Sequence, residues 1–313
     1  MANKDVVMGI TFLSQTVVGF LGNSSLLYHY LLLYFTTNRI KFTDFILKHL
    51  MVANILTLLC KGVPSTMAAL GLKDFLGDVG CKLLFYLHRV GRGVSFGSTC
   101  LLSIFQAITI SPRNSRLAEL KVKAPKYIGF SIYLSWILYM LVNIIFLMHI
   151  TGKRSNKTIT SHKDLGYCSS IRHDKTADTL YAVLLSFPDM LCLGLMICGS
   201  GFMVLVLYRH KQQVRQIHRS NVSLGCTPES RATKTVLLLM SAFGCFYALA
   251  CIFQVCNTLL INPNWFQVNI TSVISMCFPT VSPFLLMSRD FDVSRLCFSW
   301  MRNRKTPNFL RNM

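Results

Sequence analysis

Between Val6 and Asn38 the chain carries no acidic or basic residue. A helix needs about 20 apolar residues to cross the hydrocarbon core of a bilayer, so this run is long enough for one span. The pattern then repeats. A second apolar run extends from about Asp44 to Leu70, with Lys48 near one end and Lys61 inside it. The third, Cys81 to Ile110, holds Arg89 and Arg92. Tyr127 to Ile150 has no charge, and Leu180 to Tyr208 has only Asp189, with Arg209 to Arg219 reading as a basic extension of this fifth helix. Thr235 to Ile261 and Gln267 to Met287 have none, and a short Asn262-Pro263-Asn264-Trp265 turn parts them. The pattern predicts an all-α fold, a bundle of seven transmembrane helices over residues 1–287. A tail follows at 288–313. There Phe291, Val293, Leu296, Cys297, Phe298 and Trp300 mix with Arg295, Arg302 and Arg304, the mark of a short interfacial amphipathic helix.

Seven spans put the termini on opposite sides, and the excess of Lys and Arg on cytoplasmic loops decides which. With the N-terminus outside, nineteen basic residues fall on the cytoplasmic side and nine on the other. The N-terminus is therefore expected outside. Asn156-Lys157-Thr158, a glycosylation acceptor, then lies in the second outer loop. Asn221-Val222-Ser223 also matches the acceptor pattern but faces the cytoplasm, and Asn23-Ser24-Ser25 lies within a span.

Composition agrees with a membrane location. Of 313 residues, 52% are hydrophobic and 14% charged, too little charge to cover a soluble protein of this length. The net charge of +20 would suggest nucleic acid in a soluble chain. Here the basic residues cluster between apolar runs, which points to membrane lipids and away from nucleic acid. Most of the twelve cysteines lie inside apolar runs, where a thiol acts as a small hydrophobe. The first apolar run is too long for a signal h-region and lacks its flanks, so the first helix is expected to be its own insertion signal.

Cys81 opens the third span on the outer side, and Cys168 is the only cysteine of the outer loops. Both face an oxidising compartment, which favours a disulfide over two unpaired thiols. The stretch His88-Arg89-Val90-Gly91-Arg92-Gly93 carries the most chemistry. Buried charges in a bilayer are expensive and face the bundle interior or a water-filled cavity. Arg92 lies roughly 16 Å below Cys81 at about 1.5 Å per residue. His88 and Arg92 share a helix face, and Lys61, just before Pro64, adds a further basic group. The intramembrane acid is Asp189, beside Pro188. Two readings follow: a basic cavity for an anionic or strongly hydrogen-bonding ligand, or an internal ion pair of Asp189 with Arg89 or Arg92 that fixes packing. One acid cannot neutralise two arginines and a lysine, which favours the cavity. Phe85, Phe96, Gln254 and Asn257 lie near the same depth and complete the candidate lining.

The chain has no His-Glu-x-x-His, no Gly-x-Ser-x-Gly, no phosphate-binding glycine loop and no metal-spaced Cys/His cluster. No enzyme activity, metal or cofactor is expected. Gly91, Gly93, Gly199 and Gly201 are expected at close helix contacts. Cys297, beside the tail's basic residues, is a candidate palmitoylation site.

Longer runs resemble a family. His88-Arg89-Val90-Gly91-Arg92-Gly93-Val94-Ser95 and Phe105-Gln106-Ala107-Ile108-Thr109-Ile110-Ser111-Pro112-Arg113-Asn114-Ser115 resemble the third-helix signature of vomeronasal type 1 receptors. So do Tyr208-Arg209-His210-Lys211-Gln212-Gln213-Val214 and Pro228-Glu229-Ser230-Arg231-Ala232-Thr233. The resemblance covers essentially the whole chain. It implies a G-protein-coupled receptor in the plasma membrane of sensory neurons. Such a receptor detects a small pheromone-like cue, steroid-like or sulfated for some members, and acts through an inhibitory-class heterotrimeric G protein. Gln106, Arg113, Arg209, Lys211 and Arg215 are then the residues expected to face that G protein.

Against the wider rhodopsin-like pattern, Gly22-Asn23, Trp136, Pro188 and the Cys81–Cys168 pair fit. Asn54 stands where the sodium-site aspartate would be. Phe105-Gln106-Ala107 replaces the Asp-Arg-Tyr switch, and a Pro279/Pro283 segment replaces Asn-Pro-x-x-Tyr. His88 falls where amine receptors carry an aspartate, which argues against amine ligands. The alternatives are a related bitter-taste or odorant receptor and, from another class, a transporter using the same buried charges. A transporter predicts internal repeats, and the sequence shows none.

Overall fold

The computed structural model describes residues 3–37, 42–72, 75–111, 118–144, 147, 150–151, 162–164, 168–171, 175–217 and 265–287, with helical residues at 237–238, 241–242, 244–246, 248–249 and 252. Six continuous helices stand among them: α1 (Asn3–Thr37), α2 (Phe42–Ala69), α3 (Asp78–Ile110), α4 (Ala118–Asn143), α5 (Lys175–Ile217) and α6 (Trp265–Met287). The windows 3–36, 42–69, 78–110, 187–206 and 266–287 are long and apolar enough to cross a membrane. The described helical residues between 237 and 252 fall within the expected sixth span. The tail at 288–313 lies outside the described residues.

Local chemistry sets several boundaries. Asp5, Asp44 and Asp78 stand in the first turns of α1, α2 and α3, where a carboxylate complements the positive end of the helix dipole. Lys82 pairs with Asp78 one turn back at 2.9 Å. The third helix stops at Ile110 because Pro112 follows Ser111. A residue before proline is pushed out of the α region, and Ser111 has φ −54° and ψ 141°.

The fourth helix differs from the hydropathy reading. It runs Ala118–Asn143 rather than from Tyr127 to Ile150. Its Ala-Glu-Leu-Lys-Val-Lys opening is rich in strong helix formers, so Lys121, Lys123 and Lys126 belong to its first turns and not to a loop. The fifth helix, by contrast, continues past Tyr208 through Arg209, Lys211 and Arg215 to Ile217, as the basic extension expected from the sequence. The all-α expectation also needs an addition. β1 (Ile150–Thr151), β2 (His162–Asp164) and β3 (Ser169–Ile171) form an antiparallel sheet of order β1-β3-β2. Ile150 and Lys163 both pair with Ser170, from opposite sides. Strands of two or three residues are too short to leave an alternating pattern.

The second and third helices form the hub: α2 packs on α1, α3, α4 and α6, and α3 packs on α2, α4 and α5. The largest buried cluster joins Leu26, Ile46, Leu50, Phe96, Leu102, Ile132 and Met203, drawn from α1 to α5. The outer surface is apolar. Phe35, Phe130 and Ile197 are 77%, 68% and 64% exposed, a surface that suits lipid rather than water. Close contact at the hub requires glycine. A Cβ on Gly91 would sit 3.0 Å from the Ala53 carbonyl oxygen, and one on Gly93 would collide with the Tyr139 ring. Gly199 lies equally close to Ser103, whereas a Cβ on Gly201 meets no atom within 4 Å among the described residues, so the expected helix contact is not found there.

Prolines interrupt α2 at Pro64, α5 at Pro188 and α6 at Pro279 and Pro283. A proline has no N–H for the carbonyl four residues back, and in lipid that carbonyl needs another donor. Pro283 thus leaves the Pro279 carbonyl open, and the Asn23 amide donates to it at 2.8 Å.

Candidate ligand site

The third helix supplies most of the candidate groups, and its neighbours divide them. Arg92 turns toward α5, with Nη2 3.9 Å from Asp189 Oδ2. The other carboxylate oxygen, Oδ1, accepts a hydrogen bond from the Tyr139 hydroxyl on α4 at 3.1 Å. Arg89 turns instead to α4, where its Nε lies 3.4 Å from Asn143 Oδ1. Asn143 in turn donates to the Tyr139 carbonyl at 2.7 Å. An arginine–aspartate–tyrosine contact therefore ties α3, α4 and α5 at one level, with Arg89 and Asn143 beside it. Asp189 thus meets Arg92, one of the two arginines that the sequence offered it.

His88, one turn from Arg92, is buried at 8% exposure, and its Nε2 has no hydrogen-bond partner among the described residues. Lys61, Arg92 and Arg89 all lie within electrostatic reach of this ring. Lys61 Nζ sits 5.6 Å from the centre of the Phe85 ring, within the range of a cation–π contact. Phe85 also packs against the Cys81–Cys168 pair, together with Ala68, Phe75 and Leu76. Phe96, by contrast, belongs to the main apolar core at 1% exposure. Gln254 and Asn257 lie outside the described residues.

Cys81 and Cys168 form a disulfide across 87 residues of sequence. Cys168 immediately precedes β3, so the bond anchors the small sheet at the Cys81 end of α3, the end nearer His88 and Arg92. Gln106 is buried toward the opposite end, Arg209 is exposed on α5, and Lys211 and Arg215 lie on the last turns of that helix. Arg113, Asn156 and Cys297 lie outside the described residues.

A second polar constellation lies deeper along the hub. Asn54 donates to Asn23 Oδ1 at 3.1 Å and to Ser282 Oγ at 2.9 Å, and Ser95 donates to Asn54 Oδ1 at 2.7 Å. Asn23 completes the set by donating to the Gly19 and Pro279 carbonyls. This network is neutral and joins α1, α2, α3 and α6. Sequence reasoning marked Asn54 as the replacement for an acid but missed Ser95 and Ser282 as its partners. It also missed Tyr139 and Asn143, which stand in a charge-free run. No periodicity distinguishes such residues from ordinary interior positions.

The third-helix run with its paired arginines, the disulfide and the neutral Asn54 centre now sit in one helical bundle. The vomeronasal organ pheromone receptor family matches residues 6–299. The chain belongs to the vomeronasal type 1 receptor family. Vomeronasal type-1 receptor 4 of Homo sapiens is 59% identical over 302 residues, which cover 96% of this chain and 100% of the relative. Vomeronasal type-1 receptor 3 of Homo sapiens is 50% identical over 313 residues, covering 99% and 100%. Olfactory receptor class A-like protein 1 of Danio rerio is 32% identical over 285 residues, covering 91% and 89%. This is a receptor family of multi-pass membrane proteins rather than a family of enzymes, and the family supports a role as a pheromone receptor.

Proposed function

We infer that this vomeronasal type 1 receptor binds a small anionic or sulfated, steroid-like cue among its helices and activates an inhibitory-class heterotrimeric G protein. The observation that carries the ligand class is the charge balance at one level of the bundle. Lys61, Arg89 and Arg92 lie within electrostatic reach of His88, while Asp189 supplies a negative charge beside Arg92. An anion entering there gains hydrogen bonds from charged donors in a low-dielectric setting, where such bonds are strongest.

The proposed topology is a seven-span bundle in the plasma membrane of sensory neurons, with the N-terminus outside and the C-terminus cytoplasmic. The nineteen-to-nine distribution of basic residues supports that orientation. The disulfide and its sheet then lie at the outer mouth, through which the ligand enters, and Asn156 becomes the glycosylated position. Gln106, Arg113, Arg209, Lys211 and Arg215 face the G protein. Cys297 anchors the tail by palmitoylation, and the tail's basic residues meet anionic lipid.

The test is signalling in cells that express the receptor with an inhibitory-class G protein, with estrone sulfate and estrone as probes and receptor surface level measured in parallel. A pertussis-toxin-sensitive response to estrone sulfate but not to estrone is the expected outcome. An equal response to both probes overturns the anionic ligand class. A toxin-resistant response overturns the inhibitory G-protein class.

A further inference from the structure

Tyr139 and Arg92 meet Asp189 on different oxygens. Tyr139 donates to Oδ1 at 3.1 Å, a long hydrogen bond for a hydroxyl, whereas Arg92 Nη2 stands 3.9 Å from Oδ2, beyond hydrogen-bond length. The carboxylate is thus hydrogen-bonded to α4, while the arginine meets it across a wider gap as an ion pair. Asp189 is 7% exposed, so neither contact is much screened by water. Beside this pair stand Lys61 and the buried His88 ring, whose Nε2 has no partner among the described residues.

We propose that Asp189 is a built-in competitor for the ligand's anion: the ligand takes Arg92 from Asp189, and the displaced carboxylate stays on Tyr139. The inference rests on the anionic-ligand reading above and adds the element that sets selectivity. A neutral ligand offers Arg92 nothing better than the carboxylate it already meets, so it gains little. An anion replaces one charge-assisted contact by another and also reaches Lys61 and the His88 ring, so it binds with a net advantage. Tyr139 is a positioning residue. Its bond to Oδ1 draws the carboxylate away from Arg92 and keeps the arginine open to exchange.

The competition predicts opposite effects from two conservative substitutions, which is not expected of residues that merely hold the bundle together. Asp189→Asn keeps the shape and removes the competing charge. It is expected to lower the concentration of estrone sulfate needed for half-maximal response by about tenfold, a typical coupling between interacting sites. Tyr139→Phe keeps both charges and frees the carboxylate to close on Arg92, and it is expected to raise that concentration severalfold. Half-maximal concentrations are read on intact cells at matched surface levels. Should Asp189→Asn fail to reach the surface, Tyr139→Phe alone carries the test.

An Asp189→Asn receptor with unchanged or weakened response to estrone sulfate overturns the competitor role. So does a Tyr139→Phe receptor with unchanged or strengthened response. If the wild type responds and needs Arg92 while either variant shows the wrong direction, only this inference fails. If wild type and both variants are silent to estrone sulfate, this inference and the anionic-ligand reading fail together. A response that appears only in Asp189→Asn supports the competitor role directly.

Discussion

The Asn23 side chain donates to the Pro279 carbonyl at 2.8 Å, the carbonyl that Pro283 cannot serve because it lacks an N–H. One amide on the first helix thereby satisfies the break in the last. The Asn23 oxygen accepts from Asn54, which also donates to Ser282 and accepts from Ser95. Four helices meet in a set of side chains that satisfy one another.

Replacing Asn54 by leucine leaves Asn23, Ser95 and Ser282 without that partner. Each buried group left unmatched costs about 1–3 kcal/mol, though alternative partners inside a membrane bundle reduce that figure. The Asn54→Leu receptor is expected to unfold at lower temperature in detergent than the wild type, whereas Asn54→Ser shows a smaller loss. An unchanged melting temperature for Asn54→Leu contradicts the role assigned to the network.

The disulfide closes a loop of 87 residues, a length for which cross-linking removes about 4–5 kcal/mol of chain entropy from the unfolded state. Cys81→Ser and Cys168→Ser are expected to reduce surface expression equally, and the double substitution to be no worse than either. Additive losses in the double variant contradict a shared bond.

A side chain at Gly93 has no room, because the Tyr139 ring occupies the space. Overpacking of this kind costs about 1–3 kcal/mol. Gly93→Ala is expected to lower thermal stability, and the displaced Tyr139 should also weaken its bond to Asp189. Gly201→Ala, which meets no atom within 4 Å among the described residues, is the control and should behave as the wild type. Equal stability of the two variants contradicts the assigned packing.

Trp136 donates from Nε1 to His49 Nδ1 at 3.2 Å between α4 and α2, beside Phe45 and Tyr133. Trp136→Phe removes the donor and leaves His49 Nδ1 without this bond inside the bundle. The expected loss is about 1 kcal/mol, read as a modest fall in melting temperature. His49→Phe combined with Trp136→Phe should recover part of that loss, since both ends of the bond are then apolar. A double variant less stable than Trp136→Phe contradicts the pairing.

The helices were legible in the sequence because apolar runs of span length interrupted by few charges have one physical reading. The spans of α1, α2, α3 and α6 follow that pattern closely. The start of α4 was not legible, because a Lys-rich segment that reads as a loop is also a good helix former, whereas the basic extension of α5 could be read from Arg209 onward. At the site, Arg92 and Asp189 stood out as charges in apolar runs, and their pairing could be anticipated. Arg89, three residues earlier, stands about 60° around the helix on the adjoining face, and the sequence does not say that Asn143 is the partner it meets there. Tyr139 and Ser95 were silent. A tyrosine or serine in a span is common, and only the neighbouring helix reveals what its hydroxyl meets.

The most direct measurement is equilibrium binding of labelled estrone sulfate to membranes carrying wild type, Arg92→Gln or Arg92→Lys at matched receptor levels. Arg92→Gln is expected to weaken binding at least tenfold and Arg92→Lys less, because a lysine keeps the charge but not the planar fork. Equal binding by wild type and Arg92→Gln would contradict the basic site as the seat of ligand recognition.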